Sequence, residues 1–142
     1  MYGTCRLIDL PSRLVIGAYP DPVVERYGYG PDSEYLECWL QIVGPSVAWM
    51  WKKLSRLAAE HEPDSVTVET ADLLMSIGLG EGVRRNSAGA RTVARMVSFD
   101  LAKRAGRNGS VLAVRRALPR LCEHQVRRLA PSARTCHDAL AS

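Results

Sequence analysis

Apolar residues recur at three- and four-residue intervals between Pro45 and about Glu60, which predicts an amphipathic helix. The stripe consists of Val47, Met50, Trp51, Leu54 and Leu57. Gly44 interrupts the preceding pattern, and Pro45 is suited to the first position of a helix. A shorter helix is predicted over 34–41, with Ser33 as its N-terminal cap.

The pattern from Val66 onward predicts a short strand, a helix over 69–77, a turn, a helix over about 87–99 and a two-stranded hairpin over about 101–114. The hairpin prediction depends on Asn108-Gly109, the dipeptide most typical of tight hairpin turns. This order of elements is typical of a winged helix-turn-helix. The predicted fold class is therefore mainly α with a small β-hairpin wing, in a winged helix-turn-helix arrangement.

Three regions follow from these patterns. Residues 1–32 are predicted to form an N-terminal arm, or a short hairpin plus a loop, because apolar positions alternate only weakly there and Pro and Gly are frequent. Residues 33–118 are predicted to form the winged helix-turn-helix domain. Residues 119–142 are predicted to form a C-terminal helical extension.

Positive charge is concentrated in the second half of the chain. The net charge is only +4, but from Asp64 onward there are thirteen Lys and Arg residues against seven acidic residues. Between Leu73 and Cys122 ten basic residues oppose only Glu81 and Asp100. A local excess of this kind attracts polyanions, and nucleic acid is the usual one.

The basic residues fall where a helix-turn-helix would contact DNA. The helix over 87–99 is predicted to enter the major groove, and the wing over 101–114 to lie on the backbone or the minor groove. Arginine suits both roles, because its planar fork fits the acceptors of guanine and the oxygens of phosphate. The predicted DNA-binding residues are Arg84, Arg85, Asn86, Ser87, Arg91, Thr92, Arg95, Lys103, Arg104 and Arg107.

Catalytic and metal-binding patterns are weak. No histidine stands near a nucleophile in a known motif, and Gly78-Leu79-Gly80-Glu81-Gly82 follows a helix and lacks the spacing of a dinucleotide-binding loop. Cys122, His124, Cys136 and His137 are possible zinc ligands with unusual spacing, so a structural role for them is favoured. We expect no enzyme activity, no cofactor, no metal ion and no small-molecule substrate.

With 46% hydrophobic residues, the chain can build a substantial core. No stretch approaches the roughly 20 apolar residues that cross a bilayer, and the first residues lack the layout of a signal peptide. We expect a cytoplasmic, nucleoid-associated protein that does not bind membranes.

Two resemblances add to this interpretation. The order Tyr35-Leu36, Trp39-Leu40, Gly44-Pro45-Ser46, followed by a helix-turn-helix and wing, resembles the N-terminal domain of DnaD-type replication-initiation proteins. The segments around 79–102 and 113–119, with the late His137, resemble uncharacterised winged-helix proteins of actinobacteria. The DnaD resemblance implies self-association through the N-terminal helices, and a homodimer is expected. The predicted interface anchors are Tyr35, Trp39, Trp49 and Trp51.

The sequence therefore predicts a sequence-specific double-stranded DNA-binding protein that acts as a transcriptional regulator. Two alternatives stay open. One is a winged-helix module that binds protein partners, and the other is a DnaD-like replication-initiation factor that binds DNA with little sequence preference.

Overall fold

A four-stranded mixed sheet organises the chain in the computed structural model, which describes residues 6–141. The first five residues of the predicted N-terminal arm lie outside the described range, as does residue 142. The strands are β1 (Arg13–Tyr19), β2 (Val66–Glu69), β3 (Ala102–Ala105) and β4 (Val111–Arg115). The helices are α1 (Pro22–Tyr27), α2 (Leu36–Val43), α3 (Pro45–His61), α4 (Thr70–Ser76), α5 (Ala88–Ser98), α6 (Glu123–Arg127) and α7 (Pro131–Ala141).

The strand order is β2-β1-β4-β3, so β1 and β4 are the inner strands. β1 runs antiparallel to β2 and parallel to β4, with Ile16 opposite both Val66 and Leu112. β3 and β4 form an antiparallel hairpin. Alternate residues of the inner strands are fully buried, which gives the sheet one face toward the helices. These residues are Leu14, Ile16, Leu112 and Val114.

The predicted fold class is wrong. The predicted hairpin is present at β3 and β4, but it is not a small wing on a mainly helical core, because β4 continues through β1 to β2 in one mixed sheet. The physical reason is β1, whose Leu14 and Ile16 have no exposed surface. A strand this apolar needs partners on both edges, and it finds them in segments about 50 and 95 residues away.

Helix α3 lies at the centre of the core, against the sheet and against α2 and α5. Trp39 of α2 and Trp51 of α3 have no exposed surface, and each indole N–H donates to a carbonyl at the end of β4 or just after it. Trp51 Nε1 donates to Arg115 O at 3.1 Å, and Trp39 Nε1 donates to Pro119 O at 2.8 Å. The two tryptophans therefore bury apolar area and fix the path of the chain there.

The C-terminal helices pack on this core. The hydroxyl of buried Tyr35 accepts a hydrogen bond from Leu121 N at 2.9 Å and lies 2.9 Å from His137 Nδ1. Leu129 and Ala141 belong to the same buried cluster as Leu10. A single core thus includes residues from all three predicted regions.

Candidate nucleic-acid interface

The turn that leads into α5 holds two of the predicted arginines. Ser87 caps the helix, since its Oγ accepts from Ala90 N at 3.1 Å, and its own N–H donates to Arg84 O at 2.8 Å. Arg84, Arg85 and Asn86 are exposed in this turn. The turn therefore has a fixed backbone and presents its side chains to solvent.

The segment 6–10 fixes this turn from the other side. Leu10 N donates to Val83 O, and Arg85 N donates to Asp9 Oδ1, both at 2.7 Å. Arg6 and Asp9, together with the turn residues, line an open cleft of about 430 Å³. Among the described residues, Asp9 is the only acidic one that lines it, and its Oδ1 accepts a hydrogen bond from the Arg85 backbone.

The same segment contacts the turn of the hairpin. Asn108 and Gly109 both have positive φ, 55° and 66°. A Cβ on Gly109 would lie 2.5 Å from Arg104 Cδ and 3.0 Å from Ile8 Cδ1, so glycine lets both side chains pack against the turn. Since Ile8 and Asp9 are neighbours, the hairpin turn with Arg107 lies beside the turn with Arg84 and Arg85.

We define the basic face as Arg84, Arg85, Asn86, Arg91 and Arg107. All five residues are exposed. None of the four arginines forms a salt bridge with any residue between 6 and 141. Their charge is therefore not neutralised by a partner within the described chain.

Two residues of α5 that were predicted to read DNA donate hydrogen bonds to backbone carbonyls of the protein itself. Thr92 is buried, and its Oγ1 donates to Ala88 O at 2.8 Å. Arg95 Nε donates to Val43 O at 2.9 Å and its Nη2 to Ile42 O at 3.1 Å. Arg95 thus binds the last carbonyls of α2, where a cation is favourable. Arg91 is the one predicted α5 side chain that stays exposed without a hydrogen bond within residues 6–141.

The predicted wing residues also differ in their environment. Lys103 is exposed on the outer side of the sheet, with its Nζ 4.3 Å from the centre of the Tyr19 ring. A hydrogen bond with Tyr19 raises the pKa of Lys103, so this lysine keeps its charge. Arg104 is half-buried, and its Nε has no hydrogen-bond partner among the described residues. Arg107 is exposed in the hairpin turn.

Three of the four predicted interface anchors lie in the core. Tyr35, Trp39 and Trp51 have no exposed surface, so they cannot contact a second chain without unfolding. Trp49 is 59% exposed and stays a predicted contact. Within residues 6–141, no group of three or more His, Cys, Asp or Glu side chains is arranged to hold a metal ion.

Sequence reasoning missed how the N-terminal acids neutralise basic residues of the second half. Arg115 is buried and forms ion pairs with Asp21 at 2.7 Å and Asp100 at 2.8 Å. Arg116 pairs with Glu25 at 2.5 Å and Glu62 at 2.7 Å. Except for Arg115 and Asp100, the paired residues are separated by 54 to 94 positions in the sequence, so no local pattern could reveal these pairs. These pairs neutralise Arg115 and Arg116, whereas the arginines of the basic face form no such pair with residues 6–141.

Comparisons with protein-family models, curated proteins and solved structures found no match for this chain. The resemblances to DnaD-type and actinobacterial proteins therefore stay predictions. None of the helices in residues 6–141 has both the length and the apolar character needed to span a membrane.

Proposed function

We propose that this protein binds double-stranded DNA through the basic face, chiefly by contacts to phosphates. The observation that carries the proposal is the double contact of segment 6–10. Asp9 holds the backbone of Arg85, and Ile8 packs against the hairpin turn at Gly109. Arg84 and Arg85 thereby lie beside Arg107, although about 20 residues separate them in sequence.

The type of contact follows from the side chains. The four arginines of the basic face are exposed and form no salt bridge with residues 6–141, so they can give their N–H donors to phosphate oxygens. Asn86 adds a neutral donor beside Arg85. A surface of this kind attracts any duplex, and the affinity should fall steeply as salt is added.

Base reading is limited to Arg91 on α5. Thr92 donates its hydroxyl hydrogen to Ala88 O, two N–H groups of Arg95 are held by the carbonyls that end α2, and Gly89 and Ala90 are buried. We therefore infer a modest sequence preference, which favours an accessory or architectural role over strict operator recognition. Nucleoid association and regulation of transcription would both follow from such binding.

The test is a titration of a fluorescent random-sequence duplex, followed by anisotropy at about 50 mM salt. Arg84→Gln/Arg85→Gln should weaken binding about tenfold or more, because two charge-assisted contacts are lost. Arg120→Gln/Arg127→Gln removes the same charge from exposed positions outside the basic face and serves as the control. Absence of binding by the wild type, or an equal loss in both double variants, would overturn the proposal.

Self-association is a second candidate function, and the exposed Trp49 favours it. Trp49 is 59% and Leu40 39% exposed, and together with Leu36 they line a cleft of about 210 Å³ between α2 and α3. Exposed aromatic anchors of this kind are typical of interfaces. If the protein is a homodimer through this surface, sedimentation velocity will show a dimer that Trp49→Gln converts to a monomer. A wild-type monomer at all concentrations would exclude it.

A further inference from the structure

A second cleft lies at the C-terminal end of α5, between the ends of α2 and α5 and the short helix α6. Its volume is about 670 Å³, within the range of about 300 to 1,000 Å³ typical of small-molecule sites. Phe99 and Ile42 supply apolar surface, and the buried Gln125 and the exposed Cys122 line it as well. None of these residues belongs to the basic face.

Three of the lining side chains are basic. They are Arg95, His124 and Arg128, and no acidic residue between positions 6 and 141 lines the cleft. Arg128 and His124 are exposed and form no salt bridge with any residue from 6 to 141. The cleft therefore combines unneutralised positive charge with an apolar wall.

The lining is fixed before any ligand arrives. Arg95 is held by its two hydrogen bonds to the end of α2, and its guanidinium lies 5.2 Å from the centre of the Phe99 ring. Gln41 binds the backbone on both sides of Leu129. Its Nε2 donates to Arg128 O at 2.5 Å, and its Oε1 accepts from Ala130 N at 2.6 Å. A preorganised lining costs less entropy on binding.

We propose that this cleft is a binding site for an organic anion, a molecule with an aromatic or aliphatic body and a carboxylate or sulfonate group. The anionic group would bind Arg128 and the free edge of Arg95, with His124 offering a further N–H donor. The apolar body would pack on Phe99 and Ile42. The site is independent of the DNA proposal, because it lies at the C-terminal half of α5 and uses other arginines.

The test uses two matched fluorescent probes on the full chain. 8-Anilinonaphthalene-1-sulfonate carries an anionic group, and N-phenyl-1-naphthylamine is the same body without it. We expect the wild type to bind the sulfonate saturably. Arg128→Gln should weaken this binding about tenfold or more, and Arg127→Gln should leave it unchanged. Arg127 is the matched control, since it is adjacent and exposed but does not line the cleft. Arg95 is left intact because it holds α2.

A second readout locates the probe. Cys122 is an exposed thiol in the cleft, whereas Cys136 lies on α7 outside it. Saturating sulfonate should slow iodoacetamide alkylation of Cys122, measured by peptide mass spectrometry, and leave the rate at Cys136 unchanged. The proposal is overturned if the neutral probe binds as tightly as the sulfonate. It is equally overturned if Arg127→Gln and Arg128→Gln weaken binding alike, or if Cys122 is not protected.

Discussion

The guanidinium of Arg115 binds Asp100 twice, through the backbone and through the side chain. Nε donates to Asp100 O at 2.6 Å, and Nη2 donates to Asp100 Oδ2 at 2.8 Å. Asp100 has a φ of 58°, in the left-handed region that most side chains avoid. It lies between α5 and β3, so this contact sets the direction in which the chain leaves α5 and enters the sheet.

Substitutions at Asp100 should separate backbone strain from the loss of the carboxylate. Asp100→Gly and Asp100→Ala both remove the carboxylate, but only glycine adopts the left-handed conformation without strain. We expect Asp100→Ala to be less stable than Asp100→Gly by about 1 kcal/mol in urea unfolding. A glycine variant that is the less stable of the two would contradict this account of the turn.

Replacing Arg115 should destabilise the fold far more than replacing an exposed arginine. The Arg115 side chain is 7% exposed, and its loss leaves Asp21 and Asp100 without their partner. We expect Arg115→Met to lower the free energy of unfolding by about 2 to 3 kcal/mol, since both acids still reach solvent. Arg127→Met is the control, because Arg127 pairs with Glu123 at the surface, and its effect should stay within about 0.5 kcal/mol. Similar losses in the two variants would show that the buried ion pairs contribute no more than a surface pair.

The pH dependence of stability should report the pair of Arg115 with Asp21. The hydrogen bond from Arg115 lowers the pKa of Asp21 below its ordinary value of 3.8. A lowered pKa in the folded state contributes stability above pH 3.8, and this stability is lost as the pH falls through the folded-state pKa. The free energy of unfolding of the wild type should therefore exceed that of Asp21→Asn at pH 6, and the difference should shrink below about pH 4.

Asn at position 21 is a suitable comparison because its side-chain oxygen can still accept from Val24 N and cap α1, as Asp21 Oδ1 does at 3.2 Å. The variant thus removes the charge and keeps the cap. A difference in stability that is constant from pH 6 to pH 3 would mean that the charge of Asp21 is not involved.

The sequence predicted most elements from Pro45 to Arg115, for identifiable reasons. The apolar stripe from Val47 to Leu57 corresponds to α3, and Asn108-Gly109 supplies two positive φ values at the hairpin turn. The same patterns allowed a short hairpin within residues 1–32, but they could not reveal that β1 is an inner strand, because its partners β2 and β4 are distant in sequence. The fold class failed at this point, since one unrecognised inner strand turns a hairpin into a mixed sheet.

The candidate site was predictable in part. A helical projection shows correctly that Arg91 and Arg95 lie away from Val93 and Met96, but it cannot show that the carbonyls at the end of α2 hold Arg95. Trp39, Trp49 and Trp51 look alike in the sequence, although only Trp49 is at the surface. Neighbours in space, rather than local pattern, decide which polar and aromatic residues are free.

The most direct test of DNA binding by the basic face is the salt dependence of affinity for a random-sequence duplex. If Arg84, Arg85, Arg91 and Arg107 each neutralise one phosphate, the logarithm of the binding constant should fall against the logarithm of salt concentration with a slope of about −3.6. Arg85→Gln should reduce the magnitude of that slope by about 0.9, and Arg120→Gln should leave it unchanged. A slope near zero in the wild type, or the same slope in Arg85→Gln, would contradict the account.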